Sequence, residues 1–286
     1  PEDVISYDKA QGMVYSALAP LGEDYEDVVY KAFNERWIDV FSKDNKVSGG
    51  YCLSVYNNHP YILLNYNSSI GGVSTLIHEL GHGVYEYFSS KNQNFYNSSP
   101  SIFTHEVAST TNEVLLYENL IKNARNNKEK AYYISMYLDF IKNTLYTQTM
   151  YAEFEDYIHE TVENNKQINA LVLNDKWSML LKKYYGEDFE VDPLSMVGWA
   201  RIPHFYNSFY VYKYATGCCS AVSCAQDILK NGPDNYLNFL KKGGSDYPLN
   251  LLKSNNIDLN SQKPIKNTIK KFDELVNELE KLLNEK

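Results

Sequence analysis

The stretch STLIHELGHGVYEYF, residues 74–88, sets two histidines four apart with a glutamate between them. On a helix His78 and His82 stand one turn apart, so both imidazoles converge on one point. Zn²⁺ takes neutral imidazole nitrogens at ~2.0–2.1 Å, and this spacing supplies two of them without rearranging a loop. Glu79 lies beside the point of convergence but rotated off it. A carboxylate there reaches a metal-activated water rather than the metal, which is the position of a general base. Leu76, Leu80, Val84 and Tyr87 form a separate apolar stripe directed at a core. Gly81 and Gly83 each cost about 1 kcal/mol against alanine in a helix interior. Close approach of another backbone, or of a substrate, accounts for accepting that cost.

Two histidines leave such a site incomplete, because a catalytic zinc usually has three protein ligands and an open position. Residues 98–120 contain SPSIFTHEVASTTNEVLLYENL, a second strong helical pattern. It carries Glu106 with Ser109, Thr110 and Glu113 on the same face. That small-residue face can pack closely on the glycines of the first helix and bring Glu106 to the ion as third ligand. A carboxylate in a first helical turn is also favourable on the helix dipole alone, so periodicity leaves the choice open. His105 is the rival ligand, pointing ~100° away from Glu106 around the helix. Glu113 is placed to accept the outer N–H of a ligand histidine.

The elements that must position these groups are mostly helical. Residues 8–42 read as two helices broken at Pro20–Leu21–Gly22. YCLSVY (51–56) and YILLNYN (61–67) read as a strand pair with a turn at Asn57–Pro60. Further helices are predicted over 73–89, 101–124, 129–163, 168–186, 208–231, 233–242 and 264–284. In the last, apolar residues at 265, 269, 272, 276, 279 and 283 predict an amphipathic helix docked on the body. The expected fold is therefore mainly α, with a small β-sheet just before the HExxH helix, in one catalytic domain over 1–286.

Composition narrows the function. The net charge of −9 disfavours a nucleic-acid partner, whose phosphates an acidic surface repels. No run approaches the ~18 apolar residues of a membrane span. The four cysteines, three of them at 218, 219 and 224, include no CxxC pair and suggest reduced thiols in a cytoplasmic protein. The N-terminus lacks an initiator Met and reads as that of a fragment or a processed chain.

HELGHGVYEYF followed by HEVASTTNE resembles the oligoendopeptidase F branch of the thimet oligopeptidase family of zinc metallopeptidases. Lys46–Tyr51, HPYILLNYN, QTMYAEFEDYIHE (148–160) and RIPHFYNSFYVYKYATG (201–217) resemble that family's blocks as well, so the similarity spans almost the whole chain. The resemblance implies a zincin-like helical body around a deep channel. It implies one Zn²⁺ held by His78, His82 and Glu106, and Glu79 as general base. It points to His204, Tyr206 and Tyr212 as substrate or transition-state contacts, with Tyr210 nearby, although the spacing here is shorter than in the thimet branch. An oxyanion donor from that block would be worth about 3–4 kcal/mol. The edge of YILLNYN can pair with a substrate backbone, and Gly49 and Gly50 would let the adjoining loop close over it. Family members are about twice as long, and this chain resembles the C-terminal, metal-bearing half.

The expected function is cleavage of internal bonds in short unstructured oligopeptides. The competing readings are a zinc carboxypeptidase on a related scaffold and a catalytically silent peptide-binding fragment with a structural metal. The intact HExxH favours an enzyme, since a binding module has no use for Glu79. Expected partners are oligopeptide substrates and the chain's own N-terminal half or a second chain, with neither nucleic acid nor membrane.

Overall fold

The computed structural model describes residues 4–284. In chain order the helices and strands are α1 (Tyr7–Leu18), α2 (Glu23–Asn34), β1 (Ile38–Asp39), β2 (Tyr51–Leu53), β3 (Tyr61–Leu63), α3 (Ile70–Asn92) and α4 (Ile102–Lys122). Then follow α5 (Asn127–Ile141), α6 (Thr147–Glu163), α7 (Ala170–Tyr185), α8 (Pro193–Met196), α9 (Tyr212–Asn231), α10 (Asp234–Lys242), α11 (Pro248–Lys253) and α12 (Lys263–Asn284). The fold is mainly α, as the periodicity predicts. By contacts the chain divides into two compact units, Pro1–Leu138 with Gly217–Lys286 and Asp139–Thr216.

In the first unit, α3 begins where Ser69 supplies a cap. Its backbone is extended (φ −115°, ψ 168°) and its hydroxyl accepts from the Gly72 amide at 3.1 Å, satisfying one orphan donor of the first turn. The helix therefore starts three residues earlier than its apolar pattern predicts. Its apolar stripe, with Leu76, Leu80 and Val84 all at most 1% exposed, faces the core. Helix α4 lies directly on it. A Cβ added to Gly81 would fall 2.6 Å from the Ser109 Cα and 3.0 Å from the Ala108 carbonyl oxygen. Only a glycine opposite small residues permits that approach, so Gly81 and the Ala108–Thr110 run are two halves of one packing solution. Asn112, buried at this contact, donates to the Ile77 carbonyl at 3.0 Å and accepts from the Tyr25 hydroxyl at 3.0 Å. Helix α10 covers the other flank through Tyr85 on Phe239 (ring centroids 5.3 Å apart) and Tyr236, whose hydroxyl donates to the Ala108 carbonyl.

The small sheet has the order β1–β3–β2. β2 runs antiparallel to β3 with Tyr51 opposite Leu63, Cys52 opposite Ile62 and Leu53 opposite Tyr61. The sequence predicts that pair, but not β1, which lies parallel to β3. The second N-terminal helix, expected to continue toward residue 42, stops at Asn34. Arg36 turns left-handed (φ 65°), Trp37 is buried, and Ile38–Asp39 become a strand. β3 is thus the central strand, hydrogen-bonded on both sides. The expectation that its edge is open to a substrate is corrected: the edge strands are β1 and β2, and on β2 Tyr51 and Leu53 are exposed.

Helix α12 docks, but rotated from its predicted stripe. Pro264, Thr268 and Leu275 are buried, whereas Ile265, Ile269, Val276 and Leu283 are exposed. Lys271 on Glu118 (2.6 Å) and an ion pair between Lys130 and Glu278 flank the docked face. Among the described residues no helix is long and apolar enough to cross a membrane.

The second unit is organised on Met150, Phe154, Leu173, Trp177, Leu180 and Leu181. Trp177, buried, donates to the Ser195 carbonyl, and Trp199, partly buried, donates to the Asn174 side chain, so both indole N–H groups are satisfied. Residues 208–211, expected to be helical, are not. Phe209 is left-handed (φ 54°), and its amide donates to Glu155 Oε1 at 2.7 Å.

Candidate metal centre

His78 and His82 face one another on α3, ring centroids 4.8 Å apart and planes at 88°. The contact of Gly81 with α4 then brings Glu106 across. Its Oε2 lies 3.8 Å from His78 Nε2, and one ligand atom from each of His78, His82 and Glu106 falls within 4.8 Å of the others. Gly217 of α9 packs against the Cβ of Glu106 from behind. All three residues sit low in accessibility, with His82 at 8% and Glu106 at 7%.

The outer nitrogens of both histidines are engaged. His78 Nδ1 bonds Glu113 Oε2 at 2.8 Å, and the other oxygen of Glu113 accepts from Ser74 at 2.8 Å. Glu113 is therefore where the sequence expects it, holding the imidazole so that Nε2 points inward. His105, the rival ligand, is outside the three-residue set. Its Nδ1 lies 2.6 Å from His82 Nδ1, and its Nε2 lies 2.8 Å from Glu86 Oε1. Neither this contact nor Glu86 was legible in the sequence; a second histidine beside the expected carboxylate ligand was the only signal.

The donor set suits a metal ion. Two imidazoles and one carboxylate converge, with the outer nitrogens of both imidazoles tied. Glu79 is 5% exposed beside them, and its Oε2 is buried with no hydrogen-bond partner in the protein. A buried carboxylate oxygen left unpaired is costly, and a water held by an ion at this position would satisfy it.

The electrostatics fit the same reading. Burial pulls the His78 pKa down, but Glu113, Glu106 and Glu79 outweigh it and lift the group to about 9. Burial lifts Glu79 to about 7, with His78 opposing and Glu106 and Glu113 adding. Burial also raises Glu106. Burial, with His78 and His105 beside it, holds His82 well below the ordinary imidazole range, hence neutral with a lone pair to offer. A divalent cation would stabilise the carboxylates and displace the His78 proton.

Gly50 closes the site from the sheet side. A Cβ there would meet Thr75 Cγ2 at 3.0 Å and Glu79 Oε1 at 3.1 Å, so the backbone entering β2 lies against the Glu79 carboxylate. Gly49 before it is left-handed (φ 91°) and its carbonyl accepts from Asn65 at 2.9 Å. In the second unit His204 gathers Tyr210 and Tyr214, with centroids 5.5 and 5.8 Å away and a 3.4 Å contact to the Tyr214 hydroxyl. Tyr206 is 90% exposed, and Tyr212 is the first residue of α9.

The model of peptidase family M3 matches residues 7–271. The chain belongs to peptidase family M3. It is 39% identical over 282 residues to oligopeptidase PepF of Bacillus subtilis, covering 98% of this chain and 42% of that protein. It is 38% identical to group B oligopeptidase PepB of Streptococcus agalactiae, covering 97% and 47%. The crystal structure of oligoendopeptidase-F from Enterococcus faecium superposes with a TM-score of 0.73 at 31% identity, covering 100% of this chain and 48% of that one. The chain thus spans about half the length of the relatives it matches. Family M3 comprises metallopeptidases, and His78, His82 and Glu106 form the candidate metal-binding cluster among the described residues.

Proposed function

We propose that the chain is the metal-bearing half of a zinc endopeptidase that cleaves internal bonds of short, unstructured oligopeptides. The observation that carries this is Glu79: a buried carboxylate with an unpartnered oxygen, adjacent to three convergent ligands and outside their set. His78, His82 and Glu106 would hold one Zn²⁺, whose chemistry is Lewis acidity and activation of water near neutral pH. Glu79 takes the proton of the attacking water and returns it to the leaving amine nitrogen. Its pKa of about 7 in the metal-free site already lies in the range where a group can accept and release a proton. Glu113 orients His78.

The peptide backbone would pair with the free edge of β2, which starts at the glycine lying on Glu79. Binding through main-chain hydrogen bonds gives affinity with little side-chain selection, as an oligopeptidase requires. Gly50 serves this by leaving room beside the carboxylate, and Gly49 by supplying the turn. The family resemblance assigns oxyanion stabilisation to Tyr212 and His204 and substrate contact to Tyr206 and Tyr210; these belong to the same proposal. The partners we infer are oligopeptides and the remaining half of a full-length family member, or a second chain. Cytoplasmic residence is consistent with four unpaired cysteines.

The test is Glu79→Gln on the 286-residue chain. The variant should retain its zinc and lose nearly all turnover of an internally quenched peptide, and the wild-type products, weighed by mass spectrometry, should end at internal bonds. Loss of zinc in Glu79→Gln would make Glu79 a ligand. Products shortened only from the C-terminus would favour a carboxypeptidase.

A further inference from the structure

Glu113 explains how His78 is held, but His82 has no carboxylate against its outer nitrogen. It has His105, and His105 has Glu86. The order of donors along this chain is constrained. An ionised carboxylate only accepts, so His105 presents Nε2–H to Glu86 Oε1 at 2.8 Å. A neutral imidazole has one N–H, which leaves His105 Nδ1 as an acceptor. With His105 neutral, the 2.6 Å contact to His82 Nδ1 places the hydrogen on His82. His82 is thereby the Nδ1–H tautomer, and its unprotonated Nε2 is the nitrogen free for a metal.

Packing holds the relay in place. The His82 and His105 rings lie 4.5 Å apart with planes 24° apart, and the Tyr85 ring lies 5.7 Å from His105 with planes 25° apart. The side chains of His105 and Glu86 are 13% and 14% exposed, so water competes little for either bond. All three groups come from α3 and α4, whose separation is set at Gly81.

We propose that His105 and Glu86 act as positioning residues that select the metal-binding tautomer and orientation of His82, a second arm beside the direct Glu113–His78 contact. This rests on His82 being a metal ligand, as the proposed function has it. Neither residue belongs to the three-residue ligand cluster.

The experiment measures the zinc dissociation constant of the full chain by competition with a chromophoric chelator. The set is wild type, His105→Phe, His105→Asn, Glu86→Ala and, as a reference for a lost ligand, Glu106→Ala. Phenylalanine keeps a ring beside His82 and Tyr85 but offers no acceptor. Asparagine loses the ring but places an oxygen near the position of Nδ1. His105→Phe should weaken binding by roughly 10–100-fold, the effect typical of losing a group that orients a ligand. His105→Asn should recover most of it, and Glu86→Ala should fall between wild type and His105→Phe. Wild-type affinity in His105→Phe, or an asparagine variant as weak as the phenylalanine one, would overturn the relay and reduce His105 to packing. Failure of wild type to bind zinc would instead overturn the metal centre itself. Should His105→Phe not fold, histidine-selective ¹⁵N spectra of the metal-free wild type decide the matter. His82 protonated at Nδ1 supports the relay; His82 protonated at Nε2 refutes it.

Discussion

Replacing Gly81 by alanine separates two physical effects of opposite sign. Helix propensity alone favours alanine by about 1 kcal/mol. Against it, the new methyl would sit 2.6 Å from the Ser109 Cα, 3.0 Å from the Ala108 carbonyl oxygen and 3.1 Å from the Asn112 amide nitrogen. Carbon atoms rest at about 3.5–4.0 Å, so α3 and α4 would have to part locally by roughly 1 Å. The obstruction is main chain in a buried helix, not the end of a flexible side chain, which puts the cost near the top of the 1–3 kcal/mol range for overpacking. The net expectation is a loss of about 2 kcal/mol, a melting midpoint lower by roughly 4–8 °C at the usual 2–4 °C per kcal/mol for larger domains. The same displacement carries Glu106 away from His78 and His82, so zinc affinity should fall with stability. Gly12, in α1, is the control: nothing lies within 4 Å of its added Cβ, and Gly12→Ala should raise the midpoint. Thermal unfolding followed by circular dichroism, with chelator competition for zinc, measures both. A Gly81→Ala variant that melts higher and binds zinc like wild type would refute the close packing of α3 on α4, and with it the account of how the third ligand is brought in.

Glu106→Ala should lose zinc during dialysis that leaves wild type loaded, a larger effect than any change at His105; equal occupancy would remove Glu106 from the ligand set. Tyr212→Phe should lower kcat by roughly 10²–10³ with little change in KM, as for a donor used in the transition state, whereas a rise in KM alone would make Tyr212 a binding contact and favour Tyr206. Above pH 6.5, where His82 no longer titrates in either state, the metal-free protein should lose stability as pH rises. His78 has a folded-state pKa of about 9 against about 6.5 in an unfolded chain, so its contribution is complete below pH 6.5 and lost on rising through 9. Glu79, raised to about 7, acts in the same direction between about 4.5 and 7. Zinc removes the His78 proton, so the midpoint should fall between pH 6.5 and 9 without metal and stay nearly level with it; identical slopes would contradict the site's electrostatics.

What could be read along the chain was local. Spacing on one helix brings His78 and His82 together, so five residues of sequence sufficed to expect a metal. The cost of glycine in a helix foretold a close neighbour at Gly81, and small residues around Ser109 foretold which one. Glu113 followed from the same helical face as Glu106. The hairpin between β2 and β3 was legible because a turn and two short apolar runs are contiguous. Residues 35–42 were misread as helix because their apolar pattern fits either period, and Arg36 turning left-handed is what ends it.

The remaining decisions belong to contacts between distant segments. Only the pairing of β1 with β3 closes the second side of β3 and leaves the edges to β1 and β2, and no pattern within any of the strands reveals it. The rotation of α12 shows only in which residues meet the body: Pro264, Thr268 and Leu275 are buried, with Lys271 on Glu118 and Lys130 on Glu278 as flanking ion pairs, while Ile265, Ile269, Val276 and Leu283 stay exposed. His105 is the clearest case. Periodicity turns it away from Glu106, and it lies outside the candidate cluster of His78, His82 and Glu106. What it then meets depends on how α3 crosses α4, a quantity determined at Gly81 and invisible at His105. Sequence specifies which side chains share a helix face; the angle and distance between two helices determine which faces meet, and here that geometry places an imidazole between His82 and Glu86.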